Sequence, residues 1–277
     1  MKTRANARPE SDDEQRRLAV LIDADNAQPA VIEGLLAEVA KYGVASVRRI
    51  YGDFTSTRMT QWKQALLKHS ISPVQQFAYT SGKNATDSSL IIDAMDLLYT
   101  GRFDGFCLVS SDSDFTRLAQ RLREEGLTVY GFGERKTPDA FVQACDKFVY
   151  TEVLRAEALP AAAPARPAKR TRKAAAGRIP PPVEAAVAPV QPPAPAKGSE
   201  PLPLDLIRQA IEEASDDQGW ALLGTMGSYL NKIRPNFDPR LYGHRKLSDL
   251  LRQHPRHFEI EERGEGSGKR IHVRARD

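Results

Sequence analysis

The sequence is poor in cysteine: Cys107 and Cys145 are the only two in 277 residues, far apart and in no CxxC pair. That excludes a disulfide framework and argues against a cysteine-based zinc site, leaving buried thiols in a reducing compartment as the expectation. Long apolar runs are missing too, and nothing approaches the roughly 18 residues of a membrane span. The first residues, MKTRANARPESDDEQRR, lack the apolar core of a secretory leader. A cytoplasmic location with no membrane partner follows as an expectation. Charge of one sign is scarce over most of the chain, which has 40 Lys+Arg against 36 Asp+Glu. The excess is local, since residues 160–200 hold 7 basic residues against 2 acidic ones. A polyanion partner and a merely solvated linker both fit that pattern.

Composition divides the chain. From about Pro160 to Pro203 it turns rich in Ala, Pro, Lys and Arg, as in PAAAPARPAKRTRK and PPPVEAAVAPVQPPAPAKG, with no apolar periodicity. Such a segment cannot bury enough apolar surface to form a core. Residues 155–200 are therefore expected as a disordered linker and residues 1–16 as a disordered tail. Ahead of the linker, LAVLI, VASVRRIY, ISPVQQF, GFCLV, LTVYGF and KFVYTEV read as strands. Helical patterns at about 28–41, 57–69, 86–100, 113–125 and 137–145 separate them. Alternation of this kind predicts an α/β domain with a parallel sheet covered by helices on both faces. Beyond the linker, helices are expected at Leu204, Ile207 and Ile211, at Met226, Tyr229, Leu230 and Ile233, and at Leu247, Leu250 and Leu251. FEIEERGEGSGKRIHVR follows as a hairpin. Three short helices and a hairpin predict a small winged helix-turn-helix domain.

The chemistry lies in the acids. Asp23 and Asp25 follow LAVLI, and Asp112 and Asp114 follow GFCLV in SSDSDF. In a parallel sheet, ligands bind outside the carboxyl ends of the strands, where both clusters fall. Asp and Asn are also ordinary caps at strand-to-helix turns, so neither cluster is decisive alone. Asp87 discriminates better. At 100° per residue, Leu90, Ile91, Ala94, Leu97 and Leu98 form one apolar stripe, and Asp87 points along it, where a solvated cap is out of place. Asp93 and Asp96 fall on its flank and nearly opposite it and read as ordinary surface or edge residues. Three segments thus bring carboxylates to one edge, where they repel unless a cation or protons neutralise them. Oxygen-only donors suit Mg2+ or Mn2+. Ser110 and Ser111 offer hydroxyls there, and Lys83, Asn84, Arg135 and Lys136 are candidates to meet a phosphate, with surface-loop residues as the alternative.

LIDADN, GKNATDSSLIIDAMDLL, LVSSDSDF and VYGFGERKTPDAFVQACDKFVY, in that order and spacing, resemble the NYN domain, a branch of the PIN-like ribonuclease superfamily, over about residues 17–154. The resemblance implies a PIN-like three-layer α/β/α fold and a metal-dependent RNase site. Asp23, Asp87 and Asp112 then match the main metal-binding and catalytic acids, Asp114 the further acid, and Asn26 the polar partner. FDPRLYG, LSDLL and FEI in the tail resemble an OST-HTH (LOTUS) domain over about residues 201–275. That resemblance implies RNA binding, and in some relatives a protein partner. Lys232, Arg234, Arg240, Arg245 and Lys246 near the second and third helices, with Lys269 and Arg270 in the wing, are the candidate phosphate contacts. Trp220, Tyr229 and Tyr242 recur among apolar neighbours and read as core.

Three functions compete: a metal-dependent endoribonuclease with an RNA-selecting tail, a non-catalytic RNA-binding regulator, and a phosphatase using Asp23 as nucleophile. The last ranks low because LIDADNA lacks the Thr/Val that follows a DxD of that kind. The RNA substrate and the oligomeric state are left open by the sequence.

Overall fold

Five consecutive apolar residues, Leu18 to Ile22, cannot alternate between core and solvent, and in the computed structural model all five are fully buried. The structure describes residues 15–55, 57–77, 85–158, 201–264 and 269–276. In chain order the first domain comprises β1 (Arg17–Asp23), α1 (Ile32–Val39), β2 (Val44–Gly52), α2 (Trp62–His69), β3 (Ser72–Gln75) and α3 (Ala85–Tyr99). It continues with β4 (Gly105–Val109), α4 (Thr116–Glu124), β5 (Thr128–Gly133), α5 (Asp139–Ala144), β6 (Lys147–Tyr150) and α6 (Thr151–Ala158). The strands form one parallel sheet in the order β3-β2-β1-β4-β5-β6. The chain therefore winds outward from β1 to one edge, returns to the centre, and winds outward from β4 to the other. The crevice between β1 and β4 is the topological switch point, where ligands of open α/β sheets bind. Helices flank the sheet, with α3 against β1 and β2, and α1 against α6.

Two expectations are corrected here. KFVYTEV is strand only as far as Tyr150, because Val153 and Leu154 fall at helical spacing and bury themselves as part of α6. That helix runs to Ala158, past the expected start of the linker, and the rest of the linker lies outside the described residues. Asp93, on the flank of the α3 stripe, is half-buried. It receives hydrogen bonds from the Arg49 guanidinium and the Tyr51 hydroxyl, tying α3 to β2. Of the N-terminal tail, Gln15 and Arg16 are described, and the Arg16 carbonyl accepts from the Val44 amide at 2.7 Å.

The second domain contains α7 (Leu204–Ala214), β7 (Ala221–Leu222), α8 (Leu223–Ile233), α9 (Leu247–Arg252), β8 (Phe258–Arg263) and β9 (Arg270–Ala275). The two long strands form the expected hairpin, and the two-residue β7 adds to it, giving an antiparallel sheet in the order β7-β9-β8. Trp220 and Tyr242 are buried as expected, and Tyr229 packs against the core. The exposed face of Trp220 is covered by Arg263 and Arg274, whose guanidinium carbons stand 4.6 and 4.8 Å from the ring centroid.

Removing the Asp93 carboxylate leaves Arg49 and the hydroxyl of a fully buried tyrosine unpaired. Asp93→Ala is expected to lower stability by about 2 kcal/mol, read from urea unfolding, with the substitution leaving the strand order intact.

Candidate metal centre

Asp23 closes β1 and is fully enclosed. An enclosed carboxylate must find donors, and the turn after the strand supplies them. Its Oδ1 accepts from the Asp25 amide at 3.0 Å, and its Oδ2 accepts from the Asn26 side-chain amide at 2.7 Å and from the Ser110 hydroxyl at 2.8 Å. Ser110 in turn accepts from the Asp112 amide at 3.1 Å. One buried carboxylate thus links the ends of β1 and β4 across the switch point. Burial pushes the Asp23 carboxyl up, against the opposing pull of Ser110, Asn26 and the Asp25 amide.

After Ser110 and Ser111 the chain enters a single 3₁₀ turn, Ser113–Phe115, anchored by the buried Phe115. Asp112 is its N-cap, with Oδ1 accepting from the Asp114 amide at 2.9 Å. Asp87 stands in the first turn of α3, on the face that buries Leu90 and Ala94, so the orientation expected from periodicity is the one observed. Oxygens of Asp87, Asp112 and Asp114 all lie within 4.8 Å of one another. Gathering them has an electrostatic cost. Burial, then the negative charges of Asp23, Asp112, Asp114 and Asp25, push the Asp87 carboxyl up to about 6.

The geometry divides the acids differently from the sequence pattern. Asp87, Asp112 and Asp114 converge at the surface, while Asp23 stands behind them with both oxygens held by protein donors. Asn26 serves Asp23 and so orients the turn. Ser110 and Ser111 are buried, Ser110 donating to Asp23 and Ser111 accepting from the Glu134 amide at 2.8 Å. Arg135 and Lys136 are exposed on the loop after β5, with Lys136 paired to Glu134 at 3.0 Å. That loop sits tight against β4, since a side chain at Gly133 would meet the Ser110 carbonyl at 2.6 Å. Lys83 and Asn84 lie outside the described residues.

Among the basic residues expected on the second domain, Lys232, Arg245, Lys246, Lys269 and Arg270 are exposed and Arg234 is half-buried. Arg240 is corrected. Its side chain is only 13% exposed and is held by Asp238 at 2.7 Å and Glu38 of the first domain at 2.9 Å, so it is not available to a phosphate.

The donor set of the three acids is carboxylate oxygen alone, which fits a hard divalent cation better than a soft metal. Among the described residues, no helix is long and apolar enough to cross a membrane.

Comparison with known proteins agrees with this division. The NYN domain family model matches residues 17–154 and the OST-HTH/LOTUS domain model matches residues 202–270. Similar solved structures include an uncharacterized protein from Nitrosomonas europaea, 40% identical, covering 34% of this chain and 92% of that one, with a TM-score of 0.28. A protein of unknown function from Vibrio parahaemolyticus is 20% identical over 51% of this chain and 96% of that one, with a TM-score of 0.42. A segment of a protein from Chromobacterium violaceum is 38% identical over 30% and 88%, with a TM-score of 0.24. None of the curated proteins matches the chain.

Because the Asp87 carboxyl is raised from 3.8 to about 6, its proton is held more tightly in the folded state than in the unfolded one. Its stabilising contribution is complete below the unfolded value and is lost as pH rises through about 6. At neutral pH in chelator, Asp87→Asn is expected to raise stability by about 1 kcal/mol, allowing for the screening of a part-exposed group. Thermal unfolding as a function of pH checks this, the gain shrinking as pH falls below about 6.

Proposed function

We propose that this chain, whose residues 17–154 form an NYN domain and whose residues 202–270 form an OST-HTH/LOTUS domain, is a metal-dependent endoribonuclease. The two domain matches support a ribonuclease family, and the observation that carries the active reading is the convergence of Asp87, Asp112 and Asp114. These three would hold Mg2+ or Mn2+, which supplies charge stabilisation for a phosphodiester and a water of lowered pKa. The remaining roles belong to the protein. Asp23, fixed by Ser110 and Asn26, keeps the ends of β1 and β4 in register and adds negative charge behind the cluster. Asp112 caps its own turn, which fixes Asp114 relative to it. Arg135 and Lys136 extend from the neighbouring loop, where a cationic side chain meets a nucleic-acid backbone. On the OST-HTH domain, exposed Lys232, Arg245, Lys246, Lys269 and Arg270 are the groups that would contact phosphate away from the scissile bond. The two free, buried cysteines support a cytoplasmic setting.

The regulator reading rests on a specific observation as well. Asp112 caps a turn and Asp23 is fully hydrogen-bonded, so each has a structural reason to be acidic without catalysis. The two readings part on one substitution. Asn caps a helical turn as well as Asp does, so Asp112→Asn preserves the turn while removing a charge.

With Mn2+ or Mg2+ present, the wild-type protein is expected to cleave single-stranded RNA. Asp112→Asn should reduce the rate by about a hundredfold or more, and Asp96→Asn on the exposed side of α3 should keep it. Equal cleavage by wild type and Asp112→Asn would sink the nuclease reading. RNA binding without cleavage, and without thermal stabilisation by Mn2+ that disappears in Asp112→Asn, is the result the regulator reading requires.

A further inference from the structure

Arg240 is the point of departure, because a residue expected to meet RNA is instead locked between two carboxylates of different domains. Its Nε donates to both Asp238 oxygens at 3.0 and 3.1 Å, one terminal nitrogen reaches Asp238 at 2.7 Å, and the other reaches Glu38 at 2.9 Å. Glu38 is saturated from its own side, accepting from the Tyr42 hydroxyl at 2.8 Å and pairing with Lys41 at 2.7 Å. The three side chains of the Glu38–Arg240–Asp238 chain are 5%, 13% and 10% exposed. Hydrogen bonds from Arg240, Lys41 and Tyr42 outweigh burial and hold the Glu38 carboxyl down at about 2, so the pair stays ionised. Buried charges survive only with such complete satisfaction.

Three further contacts surround this pair. The Phe148 amide donates to the Pro235 carbonyl at 2.9 Å, the Asn236 side chain donates to the Tyr150 hydroxyl at 2.8 Å, and the Lys147 ammonium donates to Asn231 at 3.0 Å. The strand contacted is β6, the edge of the sheet, whose outward amides lack a strand partner. Exposed edges of this kind invite pairing with another chain and are commonly covered. A cleft of about 820 Å³ is lined by Arg123, Gln143 and Asp146 on one side and Asn231 and Lys232 on the other. Relative domain motion is the default unless an interface is large and hydrophobic, so rigidity here has to come from specific bonds.

We propose that the Pro235–Arg240 segment is a docking element that clamps the OST-HTH domain onto β6 and Glu38 of its own chain, making the two domains one body. The contacts involve the start of β6 and the last turn of α1, at the opposite end of the sheet from Asp112, together with Tyr150 at the end of β6. None of these contacts involves a residue of the acidic edge. The proposal is independent of whether that edge cleaves RNA.

Hydrogen exchange on the full chain tests it, because the Phe148 amide is protected only while Pro235 covers it. In wild type that amide is expected to exchange slowly. Arg240→Glu should accelerate it about tenfold or more, while the amides of β1 and α9 keep their protection and report that both domains remain folded. Glu38→Gln leaves the OST-HTH sequence untouched and carries the same expectation. An unprotected Phe148 amide in wild type overturns the proposal, as does unchanged protection in both single variants.

Discussion

The hydrogen bond from Ser110 to Asp23 is the interaction on which the candidate site depends. It spans the two strands between which the chain reverses its winding, and it does so with a carboxylate taken wholly out of water. Such a group is tolerated only when donors surround it, and here the donors come from the Asp25 amide, Asn26 and Ser110. The same bond passes the constraint onward. Ser110 accepts from the Asp112 amide, Asp112 accepts from the Asp114 amide, and the two acids that face solvent are thereby placed from behind. Rigidity of this sort matters where like charges must be held together against their repulsion.

That repulsion separates the acids into two kinds. Asp23 relieves its burial through hydrogen bonds and contributes position. Asp87 has burial and four neighbouring carboxylates against it, and its raised carboxyl records the cost. A fold that needed only a cap at the start of α3 had cheaper choices, since a serine or asparagine caps without adding to the negative field. The charge gathered at that edge is what the proposed cation would neutralise.

How much of this was legible in the sequence follows from which physical signals are local. LAVLI and GFCLV declared buried parallel strands because a run without alternation has no solvent face, and the stripe through Leu90, Ala94 and Leu97 fixed the direction of Asp87. Those signals act within one element. Which carboxylates finally meet depends on how strand ends are staggered, and the pattern of LIDADN is the same whether Asp23 faces outward or is enclosed. The pairing of Asp93 was hidden for a related reason: its partners Arg49 and Tyr51 are on a strand more than 40 residues earlier, beyond any periodicity. The end of β6 was obscured by composition, because FVYTEVL is apolar at both strand and helix spacing.

Arg240 carries the same lesson to the scale of domains. Near the expected recognition helices, a basic residue reads as a phosphate contact, since sequence shows charge and not the company it keeps. The sequence FDPR already held one clue: Asp238 stands two residues before Arg240 and turns back on it, satisfying most of the guanidinium locally. A guanidinium neutralised in that way has little left for RNA, but its remaining nitrogen can still join a carboxylate presented in a fixed direction. Glu38 is such a carboxylate, held by Lys41 and Tyr42 at the end of α1. Complementarity of this kind favours one docking geometry over its alternatives even where the net energy of the buried pair is small. The acidic edge at the switch point and the docking contact at the sheet edge are thus separate solutions to one problem, the placing of charge where solvent cannot help, the first by gathering like charges and the second by pairing opposite ones.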